Sequence, residues 1–306
     1  MSTSYPHLPE ATAKLIELSK VERVRSVLAD RYIHHERVTD LIKHVEFRMH
    51  QPHGLRPTGT VVWSPSNGGK TALAEALVRR HRAREATSRH PAGKPIVTIT
   101  MSGAREATEI YTRFLRELGM PHLSALTGSE RRHMALQLGQ AANLSLLIVD
   151  EIQDVLLSTQ RQQQLALVAI KDIMNSLKVH VLALGTMEAL HALEADQHLK
   201  RRFQFRELPS WRNDDYLRHF LEAYESTLPL KQRSNLGSPR MMKVIIKETE
   251  GVLGAIVDLL KYAAAFAIET ETERITIELI ERARFDVPIT DLSTDGGEAQ
   301  NAEGDA

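Results

Sequence analysis

A loop of small residues, followed by a lysine and a threonine, lies between two segments of opposite character. The apolar residues 60–63 before it favour a strand, and residues 72–78 after it favour a helix. The loop reads Ser64-Pro65-Ser66-Asn67-Gly68-Gly69-Lys70-Thr71. In this setting the backbone N–H groups of the loop and of the helix N-terminus point to one position, where the helix dipole favours an anion. The segment therefore predicts a phosphate-binding loop, whose residues 66–69 surround the phosphates.

Lys70 and Thr71 supply the two side chains that such a loop requires. The Lys70 ammonium is expected on the β- and γ-phosphates, and the Thr71 hydroxyl is expected to bind Mg²⁺. One position departs from the usual pattern, which opens with a glycine where this chain has Ser64. If that position needs a positive φ, the serine costs about 1–2 kcal/mol. If the backbone there is extended, the cost is small.

A second apolar run, residues 144–149, ends in two carboxylates, Asp150 and Glu151. A run of this kind is typical of a parallel strand buried on both faces, and such sheets bind ligands beyond the carboxyl ends of their strands. We expect Asp150 to hold Mg²⁺ through water and Glu151 to polarise the attacking water. The loop alone could be an ordinary turn that contains glycine. Together with the acidic strand end, it favours the binding of ATP.

The composition excludes several classes of protein. The chain of 306 residues has 39 basic and 39 acidic side chains and no cysteine. A neutral chain has no global attraction to nucleic acid, so DNA binding must come from a local patch or from repetition in an oligomer. Without cysteine there is no disulfide framework and no thiolate site. No apolar run has membrane-spanning length and no signal peptide is recognisable, so a cytoplasmic protein without a membrane partner is expected.

Strands and helices alternate through the centre of the chain. Further strands are predicted at residues 95–100, 179–184 and 203–206, with helices at 106–118, 129–142 (with Ser129 as its N-cap) and 163–177. This alternation predicts an α/β fold, in which helices cover both faces of a parallel sheet. Apolar residues also have helical spacing at residues 11–18, 21–28 and 38–45. After Trp211 only helices are predicted.

These patterns divide the chain into four expected parts. They are an N-terminal helical extension over residues 1–57, a nucleotide-binding core over 58–210, a helical domain over 211–286 and an acidic tail over 287–306. The tail is rich in glycine and acidic residues and has little to bury, so we expect it to be disordered.

Thr186 and two arginines lie where they could complete an ATPase site. Thr186 follows a predicted strand and could hydrogen-bond the γ-phosphate or the attacking water, or it could cap the next helix. Arg201 and Arg202 precede the last strand. In a ring or filament an arginine at this place can enter the neighbour's nucleotide site and neutralise transition-state charge. Arg202 is the first choice and Arg201 the second; the alternative is a basic helix end that complements its own dipole.

The combination of motifs resembles the AAA+ ATPases of the TniB type, a bacterial transposition group that includes TnsC-like and, more distantly, MuB-like proteins. The resemblance covers residues 10–285, and its specific parts are Arg56-Pro57, Leu184-Gly185-Thr186-Met187-Glu188-Ala189, Arg202-Phe203 and Leu208-Pro209-Ser210-Trp211. It implies a P-loop parallel sheet with a C-terminal helical lid. It also implies that Lys70 and Thr71 bind phosphate and Mg²⁺, that Asp150 binds Mg²⁺, and that Glu151, Thr186 and Arg202 are the catalytic glutamate, first sensor and arginine finger.

The resemblance also implies partners. Proteins of this type bind double-stranded DNA in an ATP-dependent way without sequence preference, and they assemble on target DNA as homo-oligomeric filaments or rings. They recruit and activate a DDE transposase, and a TniQ-like targeting protein can be a further partner. By analogy the DNA contacts lie on core loops that face the filament axis. The candidates are Arg105, Arg113, Arg131 and Arg132, and the alternative for each is an ordinary solvated charge.

The sequence departs from the family pattern at three places, and the last of them, the lack of a second-sensor arginine, suits a slow ATPase in which ATP stabilises the assembly and hydrolysis dissolves it. Ser64 replaces the first glycine, residues 152–154 follow the carboxylates where many relatives have a histidine, and residues 254–256 lack a second-sensor arginine. Two alternatives therefore stay open. One is another DNA-associated AAA+ switch, such as an initiator or loader-like protein. The other is a nucleotide-locked oligomeric scaffold with little turnover.

Overall fold

The computed structural model describes residues 5–30, 36–51, 57–85, 93–104, 106–120, 122–194, 200–288, 290 and 292, and the structural statements below concern these residues. They form two compact units. One unit, drawn from Glu36–Pro209, contains a sheet. The other, drawn from Met1–His35 and Ser210–Ala306, is helical.

The helices are named in chain order. They are α1 (Glu10–Leu15), α2 (Lys20–Leu28), α3 (Glu36–His50), α4 (Lys70–Arg80), α5 (Ala107–Glu117), α6 (Gly128–Ala141), α7 (Gln160–Leu177), α8 (Glu188–Glu194), α9 (Asp215–Glu225), α10 (Pro239–Thr249), α11 (Leu253–Glu269) and α12 (Ile277–Ala283). A 3₁₀ helix, Ile152–Leu157, precedes α7. No single described helix is long and apolar enough to cross a membrane, although α10 and α11, which meet at a bend of 115°, pass that test of length and composition as a pair.

The sheet has five parallel strands and confirms the expected α/β fold. The strands are β1 (Gly59–Trp63), β2 (Ile96–Thr100), β3 (Leu146–Asp150), β4 (His180–Gly185) and β5 (Phe203–Glu207). Their order is β2-β3-β4-β1-β5, and each neighbouring pair is parallel. The central strands β1, β3 and β4 are buried almost throughout, because helices flank the sheet. Because these three strands are parallel, their carboxyl ends lie at the same edge of the sheet.

Capping residues decide where two helices of the sheet unit begin. The prediction that Ser129 caps α6 was wrong, because Thr127 takes that position. The Thr127 hydroxyl accepts the Glu130 N–H at 3.3 Å, and the Glu130 carboxylate accepts the Thr127 N–H at 2.7 Å. This reciprocal pair satisfies two backbone donors that a start at Ser129 would leave open. In the same way Thr159 caps α7, which starts three residues earlier than expected.

Helices α1 and α2 belong to the helical unit. Val24 and Val27 on α2 are fully buried in the same core as Phe266. Trp211 also lies in this core, with its ring 4.8 Å from Tyr216 and 4.6 Å from Phe220. Part of the expected N-terminal extension thus completes the core of the helical unit, whereas α3 lies in the sheet unit. The domain boundaries near residues 57 and 286 stay predictions.

Residues 208–211 lead from one unit to the other. The Leu208 N–H donates to the carbonyl of Trp63 at the end of β1 (2.8 Å), and the Trp211 N–H donates to the carbonyl of Gly251 (2.7 Å). Gly251 has a φ of +72°, and a Cβ atom there would lie 2.1 Å from the Trp211 carbonyl oxygen. Position 251 therefore requires glycine both for its backbone conformation and for space.

A buried ion pair joins α2 to the loop before α12. Arg23 and Glu273 are 5% and 6% exposed, and their two contacts measure 2.9 and 2.5 Å. Arg23 also donates to the Pro229 carbonyl at 2.7 Å. Burial alone raises the pKa of Glu273, but the hydrogen bonds and charges of Arg23 and Lys231 bring this pKa below its ordinary value. The pair therefore stabilises the fold when Glu273 is ionised.

Replacing Arg23 by methionine is expected to lower the free energy of unfolding by about 3 kcal/mol near pH 7, because Glu273 stays buried without its main partner. The folded-state pKa lies below the unfolded value of about 4.3, so the contribution of the pair is present above that value and is lost as the pH falls through the folded value. Urea denaturation near pH 7 and near pH 3 measures both effects. Glu273→Gln has no titratable group at this position, so its free energy of unfolding should not show the part of the decrease at low pH that Glu273 causes. An Arg23→Met protein as stable as the wild type near pH 7 would contradict the prediction.

Candidate nucleotide-binding site

The loop between β1 and α4 has the backbone that an anion site needs. Gly69 is the N-cap of α4 and has a left-handed backbone with φ 99°, and Asn67 is left-handed with φ 58°. Glycine and asparagine adopt this conformation most readily. No side chain caps the first turn of α4, so its N–H groups keep their capacity to bind an anion. Ser66 and Asn67 are exposed, and Gly68 and Gly69 are half-buried.

Ser64 fits the position where the usual pattern has glycine. It is fully buried, and its φ is not positive, so the backbone cost considered above does not arise. Its hydroxyl donates to the Pro65 carbonyl (3.0 Å) and accepts from the Lys70 ammonium (3.1 Å). Lys70 also donates to the carbonyls of Ser64 (3.3 Å) and Pro65 (3.0 Å). A Cβ at Gly68 would lie 2.4 Å from the Ser64 hydroxyl oxygen, so the loop closes only with glycine there.

The end of β3 places two carboxylates at the same edge of the sheet as the loop. Glu151 follows the strand with a left-handed backbone (φ 53°, ψ 44°), and the Asp150 carboxylate accepts its N–H at 2.9 Å. A residue other than glycine pays about 1–2 kcal/mol in this conformation, and such strain is concentrated at functional sites. The Ser64 N–H donates to the carbonyl of Gly185 at 3.2 Å, which ties the loop to the end of β4.

Lys70, Asp150 and Glu151 influence one another electrostatically. Lys70 is only 6% exposed; this burial lowers the pKa of its ammonium, and the negative charges of Glu151 and Asp150 act in the opposite direction. Burial raises the pKa of Asp150, with a further rise from the charge of Glu151, whereas the Glu151 N–H and the Lys70 ammonium oppose the rise. The structure thus brings together the cation and the two carboxylates that the sequence placed far apart.

Thr71 and Asp150 suit a magnesium ion that is bound together with a nucleotide. Thr71 is exposed in the first turn of α4. Mg²⁺ prefers oxygen ligands, keeps several waters, and in such sites takes one or two protein groups besides the phosphates. Within the described residues no group of three or more His, Cys, Asp or Glu side chains could hold a metal ion. A magnesium site completed by phosphate and water does not need such a group.

Thr186 lies just beyond β4 and is linked to Glu151 through Gln153. The Thr186 N–H donates to Oε1 of Gln153 at 3.1 Å, and Nε2 of Gln153 donates to the Glu151 carboxylate. The Thr186 hydroxyl donates to the carboxylate of Glu188 in the first turn of α8. From the sequence, Gln153 is visible only as part of a departure from the family pattern. The available signal was a polar residue two positions beyond an acidic strand end.

The two finger candidates have different surroundings. Arg202 is half-buried and donates to the Asn175 side-chain oxygen on α7 at 2.8 Å. Arg201 is exposed. Both precede β5 at the edge of the sheet opposite to the loop around Lys70, because Phe203 pairs with Gly59 at the start of β1. Arg201 is the more accessible of the two.

Three of the four DNA-contact candidates make bonds inside the sheet unit, and Arg105 lies outside the described residues. Arg113 donates to a backbone carbonyl of β2 and to a carboxylate on its own helix, both at 2.6 Å. Arg131 donates to a carbonyl and a hydroxyl at 3.0 and 2.9 Å. Arg132 contacts both carboxylate oxygens of Asp172 at 2.8 and 2.7 Å. These three side chains therefore hold α5, α6 and α7 in place.

Solved structures with a similar fold include two archaeal proteins and one bacterial protein. ORC2 of Aeropyrum pernix, in ADPNP-ADP complexes, is 18% identical with a TM-score of 0.62 over 85% of this chain and 70% of that chain. ORC1 of the same organism, in complex with DNA, is 18% identical with a TM-score of 0.63 over 85% and 68%. The RuvB Holliday junction branch migration motor of Thermotoga maritima is 15% identical with a TM-score of 0.50 over 85% and 72%.

These likenesses show that the chain has an AAA+ fold, with a parallel sheet flanked by helices and a helical C-terminal region. No curated protein matches the chain in sequence. The family model described as bacterial TniB protein matches residues 23–213, well over half of the chain. The chain therefore belongs to the TniB family of AAA+ proteins.

Proposed function

We propose that this protein is a Mg²⁺-dependent ATPase that assembles on double-stranded DNA without sequence preference and recruits and activates a DDE transposase. The observation that carries the proposal is the cluster of Lys70, Asp150 and Glu151 beside an uncapped helix N-terminus, in a chain of the TniB family. ATP holds the assembly together and its slow hydrolysis dissolves it. A TniQ-like protein is a further proposed partner.

Each side chain of the site has a separate task in this proposal. The N–H groups of residues 66–71 and the Lys70 ammonium bind the phosphates, for which Lys70 exchanges its bonds to loop oxygens and the Gly68 N–H exchanges its bond to the Pro65 carbonyl. Thr71 and Asp150 hold Mg²⁺, which supplies positive charge to the phosphates. Glu151 accepts a proton from the attacking water. Thr186 hydrogen-bonds the γ-phosphate or that water once its hydroxyl turns away from Glu188.

An arginine from the neighbouring molecule completes the site. Such a residue is worth roughly 10³–10⁵ in rate where it neutralises the transition state. Arg202 and Arg201 are the candidates. If Arg202 is the finger, it must give up its bond to Asn175 when the oligomer forms, whereas the exposed Arg201 needs no such exchange with Asn175. Hydrolysis should then depend on protein concentration and on DNA, because the site is complete only between two copies.

Because the chain has no net charge, DNA binding in this proposal depends on contacts that are repeated from subunit to subunit in the oligomer. Each subunit needs only a few phosphate contacts, because contacts repeated along a filament add up. The proteins of similar fold support this part of the proposal, since one of them is solved in complex with DNA and another is a branch migration motor. The TniB family supports transposition as the setting.

The test is binding to a random-sequence DNA duplex with ATP, with ADP and without nucleotide, at two salt concentrations. We expect tight binding only with ATP, stronger for longer duplexes, and weaker at high salt by about 0.9 log units of affinity per log unit of salt for each phosphate contact. Lys70→Ala, which removes the phosphate-binding ammonium, should bind DNA equally weakly with and without ATP. Binding that is absent, or equal in all three nucleotide states for the wild type, would overturn the proposal. A transposase added to the ATP complex should then join it.

A further inference from the structure

We infer that Gln153 is a positioning residue for ATP hydrolysis, which holds the Glu151 carboxylate in its working orientation and couples it to the end of β4. The inference rests on the proposed hydrolysis of ATP. Gln153 bonds to Glu151 and to the Thr186 backbone. It acts through Glu151 on one side and through the Thr186 backbone on the other.

The amide of Gln153 uses both of its halves. Its Nε2 group donates to Oε2 of Glu151, and its Oε1 atom accepts the Thr186 N–H at 3.1 Å. An amide is the side chain that can donate at one end and accept at the other in a single plane. Because β3 and β4 are neighbours in the sheet, this bridge spans the two strand ends that carry the carboxylates and the candidate sensor.

The end of β4 leaves room for this amide because residue 185 has no side chain. A Cβ atom on Gly185 would lie 2.4 Å from Oε1 of Gln153 and 3.0 Å from the Cγ2 atom of Ile152. Ile152, the residue between Glu151 and Gln153, is itself 1% exposed and fixes the backbone of the 3₁₀ helix. The amide is therefore held by the backbone that the buried Ile152 anchors and by the Thr186 N–H that donates to its oxygen.

Glu151 needs such a restraint. Its left-handed backbone sets the direction in which the side chain leaves the chain, but the carboxylate is at the end of a flexible side chain. The charged groups that influence its surroundings are Lys70 and Asp150, and the Coulomb attraction of a lysine is not directional. The N–H of Gln153 fixes one carboxylate oxygen and leaves the other for the water. Loss of that geometry should lower kcat without changing how ATP is bound.

The experiment measures kcat and KM for ATP in the full-length protein with DNA present. Gln153→Ala is expected to lower kcat about tenfold with KM unchanged within about twofold. Gln153→Glu keeps the size and an acceptor for Thr186 but loses the donor, and it should be at least as slow. Gln153→His, whose ring N–H can donate, should retain more activity than Gln153→Glu.

Gln163→Ala is the matched control. The Gln163 amide lies ten residues further on and donates to the carbonyls of Leu156 and Ser158 at 3.3 and 2.8 Å, at the end of the same 3₁₀ helix. Its removal should reduce stability and leave kcat within about twofold, because it does not contact Glu151. A general loosening of this region would instead lower kcat equally in both variants, and that result would overturn the inference.

Amide hydrogen exchange gives a readout that does not depend on turnover. In Gln153→Ala the Thr186 N–H loses its acceptor and should exchange faster, whereas the Ser64 N–H, bonded to the Gly185 carbonyl, should stay protected. Unchanged exchange at Thr186, or an unchanged or raised kcat, would overturn the inference while wild-type hydrolysis still supports the proposed function. A wild-type protein that binds ATP without hydrolysing it would overturn the hydrolytic function itself.

Discussion

A protein in which Glu151 is replaced by glutamine is expected to bind ATP as the wild type does and to hydrolyse it at least about 100-fold more slowly. Glutamine has the same length, and its carbonyl oxygen can still accept from Gln153. It meets the same left-handed backbone at this position. The change therefore removes the proton-accepting group and little else. Phosphate release at saturating ATP, together with nucleotide affinity, measures the two effects separately.

The same variant should form DNA complexes with ATP that last longer than those of the wild type. If hydrolysis dissolves the assembly, a protein that retains ATP has no route to release. Glu250→Gln is the matched control, because Glu250 is an exposed glutamate with a similar left-handed backbone (φ 52°) in the helical unit. It should leave hydrolysis and complex lifetime unchanged. Complexes of Glu151→Gln that dissociate at the wild-type rate would count against a hydrolytic switch and would favour the scaffold alternative.

Replacing Gly251 by alanine is expected to lower the free energy of unfolding by about 4 kcal/mol or more. The left-handed backbone alone costs alanine about 1–2 kcal/mol. The larger part arises because the new methyl group would lie 2.1 Å from the Trp211 carbonyl oxygen, a backbone atom that cannot move aside without breaking the bond from the Trp211 N–H to residue 251. Movement of Trp211 would also disturb its packing on Tyr216 and Phe220. Urea denaturation followed by circular dichroism measures the loss.

Gly119→Ala separates the two causes. Gly119 also has a left-handed backbone (φ +89°), and no heavy atom lies within 4 Å of the position of its missing Cβ. This variant should lose only the backbone part, about 1–2 kcal/mol. The difference between the two variants then measures the clash at Trp211. Equal losses at the two positions would show that the close contact with Trp211 has no energetic importance.

The parts of the fold that could be predicted are those that depend on local pattern. The run of residues 144–149 is apolar without alternation because both faces of β3 are buried, so strand and burial follow from one observation. The loop around Lys70 was predictable because small residues and a lysine at a helix start, taken together with the acidic end of β3, favour phosphate binding over an ordinary turn. The prediction of ATP chemistry required only that the loop around Lys70 and the acidic end of β3 lie at one edge of the sheet. The parallel direction of the strands ensures this.

The parts that could not be predicted depend on which side chains meet. Ser129 and Thr127 are both favoured as N-cap residues, and the carboxylate of Glu130 decides between them through its bond to the Thr127 N–H. The Arg23–Glu273 pair joins residues 250 positions apart, so no local pattern announces it. The polar character of Gln153 is visible in the sequence, but the role inferred for it also depends on the missing side chain of Gly185 on another strand.

The short connection at residues 208–211 can be followed by the fluorescence of the two tryptophans. The chain has two tryptophans; Trp211 is the last residue of this connection, and Trp63 on β1 is bonded to its first residue, Leu208. The carbonyl of Trp63, the last residue of β1 before the phosphate loop, accepts the Leu208 N–H, and Trp211 is anchored in the core of the helical unit. Tryptophan fluorescence therefore comes from only two places, one next to the nucleotide loop and one at the entry to the helical unit. With Trp63→Phe or Trp211→Phe, each can be observed alone, in an unlabelled protein.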